Sequence, residues 1–305
     1  MKTAKRAVVW KKLCLLVLPL AAMVFFLFAC QTEESVRKSR IEQLEEGLYR
    51  AVYFRGQMPE KLKLLDRLQF FKVPGISLAV IDKDRIDWFK TYGYKDLIKY
   101  EKLTPATIFQ VGELSQPVAA AIVLAEVAKG HLDLEEEVGS YYENLIFAGR
   151  KFRPQGRISF TLSQLLSHSA GFYPWTSAGY PPGTDWPDLT QVLKGEEPAS
   201  NFFSWRGFDQ QAGIRYSDFN YVLLQKFLEE KTGKKLAELA REDILEPLEM
   251  KMTSWNLPET TDVATGHVRE GEAVEGGYYH YPEEAARGLW SNPPDYLKFV
   301  LEVMD

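Results

Sequence analysis

Apolar residues along the chain change rhythm several times, and each change predicts an element. Leu13 to Phe28 is an almost uninterrupted apolar run behind Lys2, Lys5, Arg6, Lys11 and Lys12, the order of a basic region and an apolar core in an export signal. Residues 31–40 are polar and charged, which predicts a tether. Ile41, Leu44, Leu48 and Val52 then recur at helical spacing, and a second helix is expected after Pro59, with Leu62, Leu65 and Leu68 on one face. Pro74 and Gly75 stop it. Ile76 to Ile81 and Arg85 to Thr91 read as two strands around the polar turn Asp82, Lys83, Asp84, an antiparallel hairpin.

Helical signals dominate further on. Pro117 to Lys129 is rich in alanine, valine and leucine and closes at Gly130. Residues 135 to about 255 read as mostly helical. Within them Thr161 and Gln164 have capping-box spacing, Asp218 to Lys231 ends before Gly233, and Leu236 to Leu245 ends before Pro247. A last helix is expected from Asp295 to Met304. Between these helices Phe172 to Trp186 combines paired prolines, glycines and five aromatics, the composition of an ordered loop. No internal repeat or low-complexity tract is present.

Cysteine usage and charge narrow the setting. The chain has two cysteines, Cys14 and Cys30, so a mature domain cut at Cys30 has no pair to form a disulfide. Leu27, Phe28, Ala29 and Cys30 look like a bacterial lipobox, with lipid expected on Cys30 and a signal over 1–30. An uncleaved transmembrane anchor is the alternative, because the apolar run falls just short of a comfortable span. Both readings export the domain, to the outer membrane or the outer face of the cytoplasmic membrane. Removing the five basic residues of the signal leaves 32 basic against 42 acidic residues. That balance argues against a nucleic-acid partner. No metal and no cofactor are expected, and residues 41–305 suffice for one substantial core.

Several segments in order carry a family resemblance. Phe109 to Gly112, Leu165 to Gly171, Tyr216 to Asp218, Glu246 to Met250 and Ala285 to Trp290 resemble successive signposts of the β-lactamase-related serine hydrolases. That family includes class C β-lactamases, D-alanyl-D-alanine carboxypeptidases and esterases. The resemblance implies an α/β (α+β) fold, an antiparallel sheet flanked by helices with a mainly helical inserted region and a cleft between them. It also implies a serine on the first turn of a helix and a lysine three residues later, which with a tyrosine takes the serine's proton while backbone N–H groups hold the oxyanion.

Those catalytic residues are absent. Aligned on Gly112 and the helix after it, the nucleophile position is Glu113 and the lysine position Gln116. Shifting the register to Ser115 puts Val118 where the lysine belongs, and the lone serine with lysine at plus three, Ser35 with Lys38, lies in the tether. Tyr216 is retained in the second motif, where Asp218 replaces the usual asparagine; it is read either as lining the cleft or as capping the next helix. His168 resembles a structural residue of the family. A third motif and the strands after it are expected beyond Met304 but are not found before Asp305, so a C-terminally incomplete domain is expected.

Losing the nucleophile costs other serine hydrolases about six orders of magnitude, roughly 8 kcal/mol of transition-state stabilisation. The expectation is therefore an inactive, lipid-anchored envelope protein that holds a peptidoglycan-derived peptide or small acyl ligand, with Phe172, Tyr173, Trp175, Tyr180 and Trp186 as wall residues. Two alternatives stay open. One is a hydrolase using Glu113 as general base with Tyr216 or Asp218; the other is a truncated remnant of such an enzyme.

Overall fold

The computed structural model describes residues 33–142, 158–200, 209 and 213–304, apart from positions 51, 53, 258, 261, 269 and 270. Cys30, the expected lipidation site, lies outside the described residues. Residues up to Val73 and those from Pro74 onward form two compact units. No helix among the described residues is long and apolar enough to cross a membrane.

In the first unit, helix α1 covers 33–46, so most of the segment expected as a tether is helical. Strand β1 (Leu48–Tyr49) pairs antiparallel with β2 (Lys61–Leu62). Helix α2 runs only over Leu64–Phe70. The two expected helices are thus shortened at a shared point, because Leu48 and Leu62 are partners across a ladder.

In the second unit, β3 (Gly75–Ile81) and β4 (Ile86–Asp96) form the expected hairpin. Lys83 and Asp84 both have positive φ, and the Asp82 N–H donates to the Arg85 carbonyl at 2.9 Å. Two left-handed residues give a turn whose twist matches that of the strands it joins. β4 runs past Thr91 to pair with β5 (Glu101–Lys102), giving the order β3-β4-β5. Gly93 makes the crossing feasible: its φ is 82°, and a Cβ there would stand 2.2 Å from the Pro74 carbonyl oxygen, so only glycine fits.

The hairpin is not the sole strand pair. β6 (Phe109–Gln110) pairs with β7 (Trp290–Ser291), joining segments far apart in sequence. Straight after β6 come a 3-10 turn (Gly112–Leu114) and α3 (Ser115–Ala128), which buries Val118, Ala119, Ile122 and Val123. α4 (Leu162–Leu166) carries the expected capping box, with the Thr161 side chain accepting from Gln164 and the Gln164 side chain from Thr161. α5 (Leu189–Lys194) follows, then α6 (Asp218–Thr232), α7 (Leu236–Ala240), α8 (Glu284–Arg287) and α9 (Pro293–Met304). A π-helical turn, Arg241–Leu245, extends α7, so the helix expected to Leu245 changes pitch midway.

α6 is the centre of the core. Phe219, Tyr221, Val222, Leu223, Leu224, Phe227 and Leu228 are all buried, and consecutive buried positions from Phe219 to Leu224 leave no face of these first turns open, so other elements must enclose them. α3, α4, α5, α7 and α8 all pack on it. Residues 135–255 are less helical than expected, because the proline- and glycine-bearing stretch between α4 and α5 crosses the surface of this core as ordered loop. The packing serves the site: α3, α6 and α8 bring three chain segments to one place.

Candidate active site

Gly112 has φ 57°, which turns the chain sharply from β6 into α3. Ser115 then starts α3 fully buried. Its Oγ donates to the Gly112 carbonyl at 2.6 Å and accepts from the Leu289 N–H at 3.0 Å. This hydroxyl ties the turn to the chain entering β7. It is not placed as a nucleophile.

Glu113, Gln116, Tyr216 and Asp218 are brought together. Gln116 is buried, and its Nε2 donates to the Tyr216 hydroxyl at 2.8 Å and to Asp218 Oδ1 at 3.0 Å. The Tyr216 hydroxyl in turn donates to Asp218 Oδ1 at 2.8 Å. Asp218 Oδ2 accepts from the Ser177 N–H at 3.0 Å and from Arg287 Nε at 2.7 Å. The second arm of the Arg287 guanidinium reaches Glu113 Oε1. Asp218 is completely buried and its carboxylate takes four donors, the full capacity of two oxygens.

This arrangement settles how Asp218 sits. It occupies the first turn of α6, whose N-cap residue is Ser217 and has no side-chain cap bond; the Asp218 carboxylate points into the cluster instead. Tyr216 is half exposed, yet burial and then its bond to Asp218 push its phenol well above the ordinary range. A phenol held protonated and donating to a carboxylate is a poor proton acceptor.

Arg287 was not singled out in the sequence. It stands among small and apolar neighbours in Ala285 to Trp290, a position where a cation needs a reason. The reason is charge balance: Glu113 and Asp218 put two carboxylates at one place, and Arg287, with its side chain only 16% exposed, is the cation that pairs with both. Ser177, which contributes a backbone donor, carries no sequence signal at all.

Glu283 was also missed. It is 1% exposed, and its Oε2 has no hydrogen-bond partner among the described residues. Burial, reinforced by the Asp218 charge, pushes its carboxyl up to about 7. The folded pKa lies above the unfolded one, so this group's contribution is fully present below the unfolded value and is lost as pH rises through about 7. The drop is roughly 3 kcal/mol. Urea unfolding of the native chain and of Glu283→Gln at pH 5 and pH 8 checks this. We expect the native chain to be less stable at pH 8 and the variant to lose a substantial part of the difference, the neighbouring Glu284, also pushed up to about 7, keeping its own share; equal pH dependence in both would refute it.

His168 takes the structural part. Its Nδ1 faces the Ser217 N–H at 3.4 Å and the Asn220 Nδ2 at 3.2 Å, so Nδ1 accepts and the neutral ring carries its proton on Nε2. Burial lowers its pKa.

The five aromatic wall residues separate. Phe172, Trp175 and Tyr180 are buried in the core, where Phe172 packs edge-on against Phe160 and Phe219; their side chains fill space beneath the loop and do not face a cleft. Tyr173 is exposed under the Arg215 guanidinium, 4.6 Å from the ring centre. Trp186 stacks flat on His280 at 4.8 Å and lines a cavity. Composition alone could not separate these roles. Among the described residues no group of His, Cys, Asp or Glu is arranged to hold a metal ion.

Comparison with known proteins agrees with this architecture. The chain is 28% identical over 255 residues to the teichoic acid D-alanine hydrolase of Staphylococcus aureus, covering 80% of this chain and 57% of that protein, so it spans little more than half the length of that relative. Its fold is similar to the octameric penicillin-binding protein homologue from Pyrococcus abyssi, with 25% identity and a TM-score of 0.60 over 78% of this chain and 54% of that one. FmtA from Staphylococcus aureus shares the fold at 23% identity and a TM-score of 0.57, over 78% of this chain and 62% of that one. The Beta-lactamase family matches residues 65–305. With that match and the β-lactamase/transpeptidase-like arrangement of helices and antiparallel sheet, the chain belongs to the Beta-lactamase family of serine hydrolases and penicillin-binding-protein relatives.

Proposed function

We propose that this chain is a non-acylating member of its family, a cell-envelope lipoprotein that binds an acyl or peptidyl ligand without cleaving it. One observation carries the reading: at the positions of the family's serine and lysine stand Glu113 and Gln116, and both are engaged in a closed network with Arg287, Asp218 and Tyr216. Acyl transfer needs a nucleophile and a group able to take its proton. Gln116 cannot take a proton, Tyr216 holds its own, and Glu113 is paired with a guanidinium. The pairing also opposes Glu113 as a general base, since its Oε1 is already taken by the Arg287 guanidinium.

Turnover of a chromogenic lactam and of p-nitrophenyl acetate tests this. Native chain and Glu113→Ala should release product at the same rate as buffer containing albumin. Native turnover well above that of Glu113→Ala would establish a working carboxylate and overturn the proposal.

The envelope setting rests on the basic, apolar and small-residue order ending at Cys30 and on the similarity to a teichoic acid D-alanine hydrolase. Metabolic labelling with an alkyne fatty acid should mark the native chain and not Cys30→Ala. Equal label in both would exclude Cys30 as the anchor.

A further inference from the structure

A cavity shares no lining residue with the Glu113, Arg287 and Asp218 network, which it adjoins through Tyr281, a wall residue that reaches Arg287. Its volume is about 210 Å³, and its lining includes Trp186, Trp255, Tyr278, His280, Trp290 and Glu284. Sites for whole drug-sized ligands run to about 300–1,000 Å³, so this one accommodates a single chemical group.

Four rings make a continuous wall. Trp186 lies flat on His280, with centroids 4.8 Å apart and planes 6° from parallel. His280 meets Tyr278 edge-on at 5.2 Å, and Tyr278 meets Trp290 edge-on at 5.7 Å. The wall is fixed from behind: Tyr180 and His280 exchange backbone hydrogen bonds at 2.9 and 2.7 Å, and the Gln110 side chain bonds the Tyr279 backbone in both directions. The Trp255 indole N–H donates to the Glu284 carbonyl at 2.9 Å, which holds a third tryptophan beside the acid. Trp186 is 52% exposed, a large apolar ring kept at the surface by its stack.

Glu284 supplies the polarity. No described residue hydrogen-bonds to its carboxylate, and burial pushes the group up to about 7, with Glu229 raising it and Lys235 lowering it. Glu229 and Lys235 pair with each other at 2.9 Å, so neither is a dedicated partner. Aromatic faces with one unsatisfied carboxylate attract a compact organic cation, because the ring quadrupoles and the anion act in the same direction. A neutral sugar would use the rings but gain nothing from the charge.

We propose that this cavity binds a small organic ammonium group, cradled by the Trp186, Tyr278 and Trp290 rings and balanced by Glu284. The site is independent of the proposed loss of acylation and stands whether or not the chain hydrolyses anything.

Calorimetric titration of the full chain in detergent at pH 8, where Glu284 is ionised, tests the proposal with three probes: choline, its neutral isostere 3,3-dimethylbutan-1-ol, and methyl glucoside. Choline should bind roughly tenfold more tightly than the isostere, and methyl glucoside should not compete. Trp186→Ala, at an exposed position, should weaken choline roughly tenfold while leaving the thermal midpoint unchanged; Glu284→Gln should weaken choline and spare the isostere. If Glu284→Gln fails to fold, the choline-to-isostere ratio and Trp186→Ala decide alone. Equal binding of choline and its isostere, preference for the glucoside, or no binding of choline would each overturn the assignment.

Discussion

Replacing Arg287 with methionine is expected to destabilise the fold by about 3–5 kcal/mol, the cost of stranding a buried charge when its partner is removed. Asp218 has no exposed surface, and among the described residues Arg287 is its only cationic donor; the other three donors, from Gln116, Tyr216 and the Ser177 backbone, are neutral. Methionine keeps the volume and the apolar stem, so the loss reports charge and hydrogen bonding more than packing. A deficit of that size is a large share of the 5–15 kcal/mol typical of a whole domain. The partner test is the double variant: adding Asp218→Asn removes the stranded charge and should recover at least half of the loss. Glu113→Gln is expected to cost under about 1 kcal/mol, because the Glu113 side chain is 53% exposed and the pair is screened by solvent. Urea unfolding of the native chain, Arg287→Met, Asp218→Asn, the double variant and Glu113→Gln measures all of this. If the Arg287→Met and Asp218→Asn effects simply add within about 0.5 kcal/mol, the two groups are not coupled as the geometry requires.

Restoring the family's serine and lysine is expected not to restore acylation. The variant Glu113→Ser with Gln116→Lys places an ammonium where Gln116 Nε2 now donates to Asp218 Oδ1 at 3.0 Å. A carboxylate that close favours the charged lysine, by one to three pKa units in comparable pairs. The introduced lysine would remain protonated at neutral pH and so could not take the serine's proton. Asp218 would then serve two cations, the introduced lysine and an Arg287 that has lost Glu113 as its other partner. The nucleophile would be present and inactive, leaving most of the roughly six orders of magnitude lost with the family's machinery unrecovered. Asparagine at 218 is the additional change this reasoning calls for.

Much of the scaffold was legible because local chemistry specified it. The hairpin followed from alternation around Asp82 to Asp84, α4 from the Thr161 and Gln164 box, and the end of α6 from Gly233 in its left-handed conformation. The segment before Pro74 was misread because Leu48 and Leu62 fit a helical period equally well and only their pairing with each other makes them strand. β6 and β7 could not be seen at all, since two-residue strands have no period and their partners are about 180 residues apart. At the site, Glu113, Gln116, Tyr216 and Asp218 were found because a motif names their positions. Arg287 and Glu283 were missed because their significance lies in what they face, and no spacing along the chain encodes that Arg287 reaches Glu113 from α8. The aromatic loop shows the same limit: Trp175 and Trp186 are alike in sequence context, yet one is sealed in the core and the other lines a cavity.

The most direct test of the central proposal is intact-mass spectrometry after prolonged incubation with a fluorophosphonate and, separately, with a penicillin, applied to the native chain and to Glu113→Ser with Gln116→Lys. Both proteins are expected to keep their unmodified mass. An adduct on the native chain mapped to Ser115 or Ser217 would show that a serine of this site is nucleophilic after all, and an adduct on the double variant at position 113 would show that the network around Asp218 does not hold the introduced lysine in its charged form.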